Sequence, residues 1–197
     1  MLIAYSQLAR DAVVIMAGAC YSAGSAGWDV GVVPEEVARR RVNDYSYTFL
    51  TIGAGAYFAG GSPDYYLEQI LSNPEGDMSR NYKSAPSFNP TSLRDFDHMQ
   101  YPFYYLWLDP MVDPQGAVLG WNSAFAGNPA LTGGQVFSTC IFGDFDCDGD
   151  VDAVDIMMVA SRWRCKCREE CYDPHFDIDK DCDIDIVDIM KVVAHWG

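Results

Sequence analysis

Basic residues are scarce: 13 Lys and Arg face 28 Asp and Glu, a formal charge of -15 over 197 residues. That deficit argues against nucleic acid as a partner, because phosphate binding needs a cationic face that releases counterions. Long apolar runs are lacking too. None reaches the roughly 18 to 20 residues that cross a bilayer, so no membrane span is expected. Paired CxxC spacing is missing around Cys165, Cys167 and Cys171, and none of the 3 histidines sits there at ligand spacing. Disulfides are therefore expected in place of a zinc site. The first nine residues carry no base, and Arg10 and Asp11 interrupt the apolar stretch that a lipoprotein signal ending at Cys20 would need.

What the chain does have is unevenly spread. Apolar residues make up 49%, enough for a real core. Residues 144–197 hold 15 of the acids against 6 bases, a net of -9. Six of the 7 cysteines lie between Cys140 and Cys182, a density suited to an oxidising compartment, and the odd total leaves at least one thiol outside intrachain pairs. An extracellular or cell-surface site follows. A secreted protein without a leader is expected to be the C-terminal piece of a longer product. The basic run RWRCKCR, residues 162–168, lies between two acidic stretches and reads as a solvated, disulfide-tied connector.

The acids are spaced, not merely clustered. Displaced by 33 residues, DFDCDGDVDAVDIMMVASRW from Asp144 aligns with DIDKDCDIDIVDIMKVVAHW from Asp177. Such a duplication means two copies of one supersecondary unit, each burying its apolar stripe on the other. Within each copy the acids fall at loop positions 1, 3, 5, 7, 9 and 12, with Gly149 at position 6 of the first, the sharp turn of an EF-hand-type loop. Calcium takes six to eight hard oxygens at about 2.3–2.6 Å, which alternate carboxylates in a tightly wound loop supply; magnesium, demanding tight octahedral geometry, fits worse. The expected ligands are Asp144, Asp146 and Asp148, the Asp150 carbonyl and Asp155 as bidentate closer; in the second loop they are Asp177, Asp179, Asp181, Asp183 and Asp188. Two Ca2+ ions are implied. Val151 and Ile184, at position 8, should point inward. Helices should start near Asp152 and Asp185 and bury Ile156, Val159, Ala160 and Trp163 against Ile189, Val192, Val193 and Trp196.

Asp at position 12, a single helix after each loop and a linker between the copies resemble a type I dockerin over about residues 142–197. The resemblance implies a module that folds on calcium and binds a cohesin-like domain, as in carbohydrate-degrading assemblies and other secreted proteins. The positions that meet the partner in that family are here Ala153, Val154, Ala160 and Ser161, with Ile186, Val187, Val193 and Ala194, a more apolar set than usual. Docking onto its own neighbouring domain is the other possible partnership. Cys182 replaces the loop glycine in the second copy, so a different turn and a weaker second site are expected. Cys147 and Cys182 could staple the loops together, or either could pair with the linker RCKCREEC.

Upstream, DAVVIMAGA (11–19) reads as a buried parallel strand, Pro34 as a helix start with Ala38, Val42, Tyr45 and Phe49 on one face, GAYFAG as a second strand, and residues 64–71 as a helix. This β-α-β-α order implies an α/β layer. With only two clear strands, part of the domain should be missing. Residues 72–137 are rich in Pro, Gly, Asn and Ser around YPFYYLWL, an edge strand or hairpin whose Tyr104, Tyr105 and Trp107 fill a core more naturally than they stack on sugar. GACYSAG is faintly similar to the cysteine-bearing strand end of caspase-like peptidases, which would make Cys20 a nucleophile and the chain an extracellular hydrolase with an attached calcium module; in that fold the histidine base comes from an earlier strand, which would lie before Met1, whereas His98 follows Cys20, and the alternative is a buried structural cysteine. The fold expected is α+β overall: a partial α/β domain over 1–137, then a small all-α dockerin-like calcium-binding domain over 142–197, joined through a glycine-containing segment near Thr132.

Overall fold

The computed structural model describes residues 8, 11–137, 140–146 and 148–197. Cys147, a candidate loop staple, and residues 1–7, 9 and 10 of the opening segment weighed as a signal lie outside the described residues. The fold is α+β, with a five-stranded mixed sheet and six helices among the described residues. The chain divides into two compact units, one of Met1–Gln100 with Tyr104–Val136 and the other of Tyr101–Phe103 with Phe137–Gly197.

In the first unit β1 (Ala12–Met16), α1 (Glu35–Thr51) and β2 (Ala54–Gly60) form the expected parallel crossover. Next come α2 (Pro63–Ser72), α3 (Met78–Lys83), β3 (Arg94–Asp97), β4 (Tyr105–Val112), β5 (Val118–Gly127) and α4 (Gly133–Phe137). Strand order is β1-β2-β5-β4-β3, and every pairing after the first is antiparallel. Three strands thus come from the stretch in which the sequence offered at most an edge strand or hairpin. β4 is an interior strand, and it forms a hairpin with β5 whose turn is tied by Asp113 Oδ1 accepting from the Gln115 and Ala117 amides. Pro110 is tolerated inside β4 because the register shifts between Asp109 and Pro110, where a missing N–H costs least.

Side chains alternate across the sheet. One face carries Phe58, Phe125 and Trp107, aligned across β2, β5 and β4, with ring centroids 5.2 and 4.8 Å apart. Tyr66 from α2 and Tyr82 from α3 cover them in one buried cluster with Ile70, Met78 and Leu131. Aromatic pairs of this kind are worth about 0.5–1.5 kcal/mol each beyond the area they bury. Tyr104 and Trp107 are core residues and Tyr105 packs against the core, so filling space is their role. On the other face Tyr57 stacks on Phe49 of α1.

The buried face of α1 differs from the expectation. Ala38 and Val42 are buried, but Tyr45 and Phe49 are only half covered, and the rest of the face is Asn43, Ser46 and Leu50. The two polar residues are accommodated because each has partners. Asn43 accepts from the Met99 amide and donates to Gln100, while Ser46 Oγ donates to the Val42 carbonyl. Gly133 is buried, and a Cβ there would lie 2.6 Å from the Ile70 carbonyl oxygen, so glycine lets α4 approach α2 closely.

The second unit contains α5 (Ala153–Ala160) and α6 (Ile186–Val193). Its core is Phe145, Val151, Val159, Cys165, Phe176, Ile184 and Val192. Val151 and Ile184 point inward as position 8 requires, with 1% and 0% exposure. The helical stripe is narrower than expected. Val159 and Val192 are fully buried and Ile156 and Ile189 partly so, whereas Ala160, Val193, Trp163 and Trp196 are exposed. The reason is that loop residues and two phenylalanines occupy the interior, leaving each helix only one line of contact. No described helix is long and apolar enough to cross a membrane.

Candidate metal centre

Each acidic loop is wound by its own first and last carboxylates. Asp144 accepts from the amides of Asp148 (Oδ1, 3.2 Å) and Gly149 (Oδ2, 3.1 Å). Asp177 does the same for Asp181 (3.2 Å) and Cys182 (3.0 Å), and also takes the Lys180 amide. At the far end Asp155 Oδ1 accepts from Phe145 and Asp146, and Asp188 Oδ1 from Ile178 and Asp179. Their second oxygens accept from the amides of Asp152 and Asp185. Those two residues, at position 9, return the bond as N-caps, their carboxylates accepting from Val154 and Val187, so each helix opens on a capping box. Backbone donors that a tight turn would strand are thereby satisfied, and the carboxylates converge as a consequence.

Two groups of oxygens come together in this way. Asp144, Asp146 and Asp148 can place one carboxylate oxygen each within 4.8 Å of one another, and so can Asp177, Asp179 and Asp188. Asp155 and Asp181 belong to neither group: Asp155 is tied to the first loop by the bonds just described, and the Asp181 amide donates to Asp177. Asp150, expected to give its carbonyl, is exposed. Asp183 lies beside the linker, its Oδ2 3.8 Å from Lys166 Nζ, and the two residues form a backbone bridge.

The clustering has an electrostatic cost. Asp179 is pushed up to about 6 by burial first, then by the charges of Asp188 and Asp181. Burial likewise raises Asp177, against the pull of a hydrogen bond from Tyr172. In the first loop lost hydration and then Asp148 raise Asp146, while Asp150 is raised chiefly by the Asp148 charge. Asp179 Oδ1 and Asp183 Oδ1 are buried and take no hydrogen bond. An all-carboxylate donor set with orphaned oxygens and raised proton affinities fits a hard divalent cation, which would relieve the repulsion and take up the unused lone pairs.

Three features here are not visible in the sequence. The Tyr172 hydroxyl donates to Asp177 Oδ2 at 2.5 Å, a support for which the first loop shows no counterpart among the described residues. The cysteines pair as Cys165–Cys171 and Cys167–Cys182, so Cys182 joins the linker, not the other loop. Cys140 is disulfide-bonded as well. Nor does Cys182 change the turn: its φ of +77° lies in the same left-handed region as the +107° of Gly149.

Beyond the loops, all eight positions that the dockerin resemblance assigns to partner contact are exposed: Ala153, Val154, Ala160, Ser161, Ile186, Val187, Val193 and Ala194. Met157 and Met190, 61% and 63% exposed, lie on the same helices and extend an apolar surface. Isolated apolar side chains are common on surfaces.

Cys20 is free and half-buried, just beyond β1, in a shallow depression lined by small residues such as Ser22, Ala23, Ser25 and Gly60. Gly60 is held there by its φ of +63° and by the Asn122 carbonyl oxygen, which a Cβ would approach to 2.0 Å. His98 is not among the lining residues; it is 1% exposed and its Nε2 lies 3.2 Å from Ser46 Oγ. The residues lining the depression around Cys20 include no histidine.

Burial instead holds His98 down at about 4, outweighing the opposing influence of Asn43 and Asp44. The unfolded chain, with an ordinary imidazole near 6.5, takes the proton first. Stability is accordingly full above about pH 6.5 and falls as pH drops toward 4, by about 3 kcal/mol in all. Hydrogen exchange of the β2 amides at pH 7 and 4.5 should show this loss, and His98→Gln should flatten it; an equal acid loss in both proteins would remove His98 as its source.

No protein-family model, no curated protein and no solved structure matches this chain.

Proposed function

We propose that residues 142–197 are a dockerin-like, EF-hand-type module that binds two Ca2+ ions and mediates calcium-dependent protein–protein association of a secreted or cell-surface protein. The observation that carries this reading is the duplicated loop. In both copies the first acid accepts from the amides at positions 5 and 6 and the twelfth from those at positions 2, 3 and 9. Asp144, Asp146, Asp148 and Asp155, with the Asp150 carbonyl, would hold one ion; Asp177, Asp179, Asp181 and Asp188, with the Asp183 carbonyl, the other. The chemistry is binding, not catalysis. The ion neutralises the cluster, and ordering the loop fixes the orientation of the helix that follows, since the closing carboxylate is also its third residue. Disulfides and the acid-rich, metal-dependent construction suit an oxidising, calcium-rich exterior.

The exposed face of α5 and α6 would meet a cohesin-like domain, in the manner of carbohydrate-degrading assemblies, or the chain's own neighbouring domain. Calorimetric titration should give two Ca2+ per chain, and a cohesin-like domain should be retained by the immobilised chain in calcium and released in chelator. Retention of that domain equally in both buffers would sink the calcium-dependent reading. Absence of retention alongside two-ion uptake would direct attention to the intramolecular partner.

A further inference from the structure

The two loops differ in how their sixth residue is held. Gly149 adopts its left-handed backbone freely, whereas Cys182 adopts the same region with a side chain that disfavours it. Its neighbour Lys180 is also left-handed, at φ +63°, so two side-chain-bearing residues of this loop occupy conformations that the chain would not choose alone. What opposes their relaxation lies in the linker. Cys167 is bonded to Cys182, its amide donates to the Cys182 carbonyl at 3.0 Å, and Ile184 donates to the Cys165 carbonyl at 3.0 Å. The linker therefore runs beside the loop as a short splint covalently fixed at position 6. The amide so presented, that of Cys182, is one of those that orient Asp177, a member of the second oxygen cluster.

We propose that the Cys167–Cys182 disulfide is the positioning element of the second metal loop, so that calcium affinity at this site, but not at the first, depends on the oxidation state of this cysteine pair. The proposal rests on the calcium reading above. In the first loop glycine occupies the corresponding turn, so no side chain disfavours the left-handed backbone there. Binding and bond formation are then linked, and linkage is reciprocal: whatever factor the disulfide adds to calcium affinity, calcium adds to the resistance of the disulfide toward reduction. In that reduction a dithiol gives up two electrons and two protons, the S–S bond becomes two thiols, and the dithiol closes to its own disulfide.

The test is calorimetric titration of the full chain with calcium. Native protein should take up two ions. Cys167→Ser/Cys182→Ser should keep one at native affinity and bind the second tenfold or more weakly. Cys167→Ser/Cys182→Gly should recover much of that loss, since glycine accepts the left-handed turn without a crosslink; it also serves if the serine variant does not fold. In a dithiothreitol redox buffer, a tenfold linkage should make Cys167–Cys182 harder to reduce in calcium by about 30 mV. Native affinity at both sites in the serine variant, or equal weakening of both, would overturn the proposal. Failure of the native chain to take up calcium would instead overturn the calcium reading, and this proposal with it.

Discussion

Removal of calcium with a chelator is expected to melt residues 142–197 while the sheet of Ala12–Gly127 persists. On the calcium reading proposed above, a cation would offset the mutual repulsion of the loop acids, and the helices α5 and α6, eight residues each, are far too short to stand alone. Their first turns are tied to the loops through Asp155 and Asp188, so losing the ion loosens loop and helix together. An ion present at a thousandfold excess over its dissociation constant contributes about 4 kcal/mol per site, a large part of the stability of so small a unit. Far-ultraviolet circular dichroism should lose helical signal on chelation, and calorimetry should show the lower-melting of two transitions move down by many degrees while the other stays. Unchanged dichroism and an unchanged melting profile would mean that these loops do not depend on a metal.

The second large effect is expected at Asp188, which is 0% exposed and accepts from three backbone amides, those of Ile178, Asp179 and Asp185. Replacing it by alanine strands those donors in the interior, at about 1–3 kcal/mol for each that water does not reach, and removes the acid that closes the second loop. Asp188→Ala should therefore abolish calcium uptake at that site and lower the melting temperature even in chelator. Asp188→Asn keeps an oxygen toward Ile178 and Asp179 but turns an amide toward Asp185, so it should fold better while binding calcium poorly. Asp181→Ala, at an exposed residue whose carboxylate, among the described residues, accepts from Asp183, should cost little without metal. Equal melting temperatures for Asp188→Ala and Asp181→Ala in chelator would show that the buried bonds carry no weight.

How much of this was legible beforehand follows from what each signal encodes. The loops were legible because a carboxylate at every second position has few other uses, and because duplication repeats the pattern. The helix starts near Asp152 and Asp185 and the inward turn of Val151 and Ile184 followed from the same spacing. The helix faces were not, since periodicity reports which residues are apolar but not that Phe145 and Phe176 would fill the centre and leave Trp163 and Trp196 outside. β3, β4 and β5 were hidden by turn-forming residues and by Pro110, which argues against an interior strand unless a register shift is known. The disulfide pairs could not be derived, because six cysteines in a short stretch permit many matings and only chain geometry selects Cys167 for Cys182. Asn43 and Ser46 on the buried side of α1 broke the apolar pattern for a tertiary reason, their bonds to residues 98–100.

The row of Phe58, Phe125 and Trp107 bears on how the first unit finds its pairing. A slip of one residue between β2 and β5 would send Phe125 to the opposite side of the sheet and leave a ring-sized void beneath Tyr82. Near-miss alignments are thus penalised by whole aromatic rings at once, whatever ions the medium contains. The sheet enforces its correct assembly from within, whereas the acidic repeats, on the calcium reading proposed above, would take their order from the surrounding fluid.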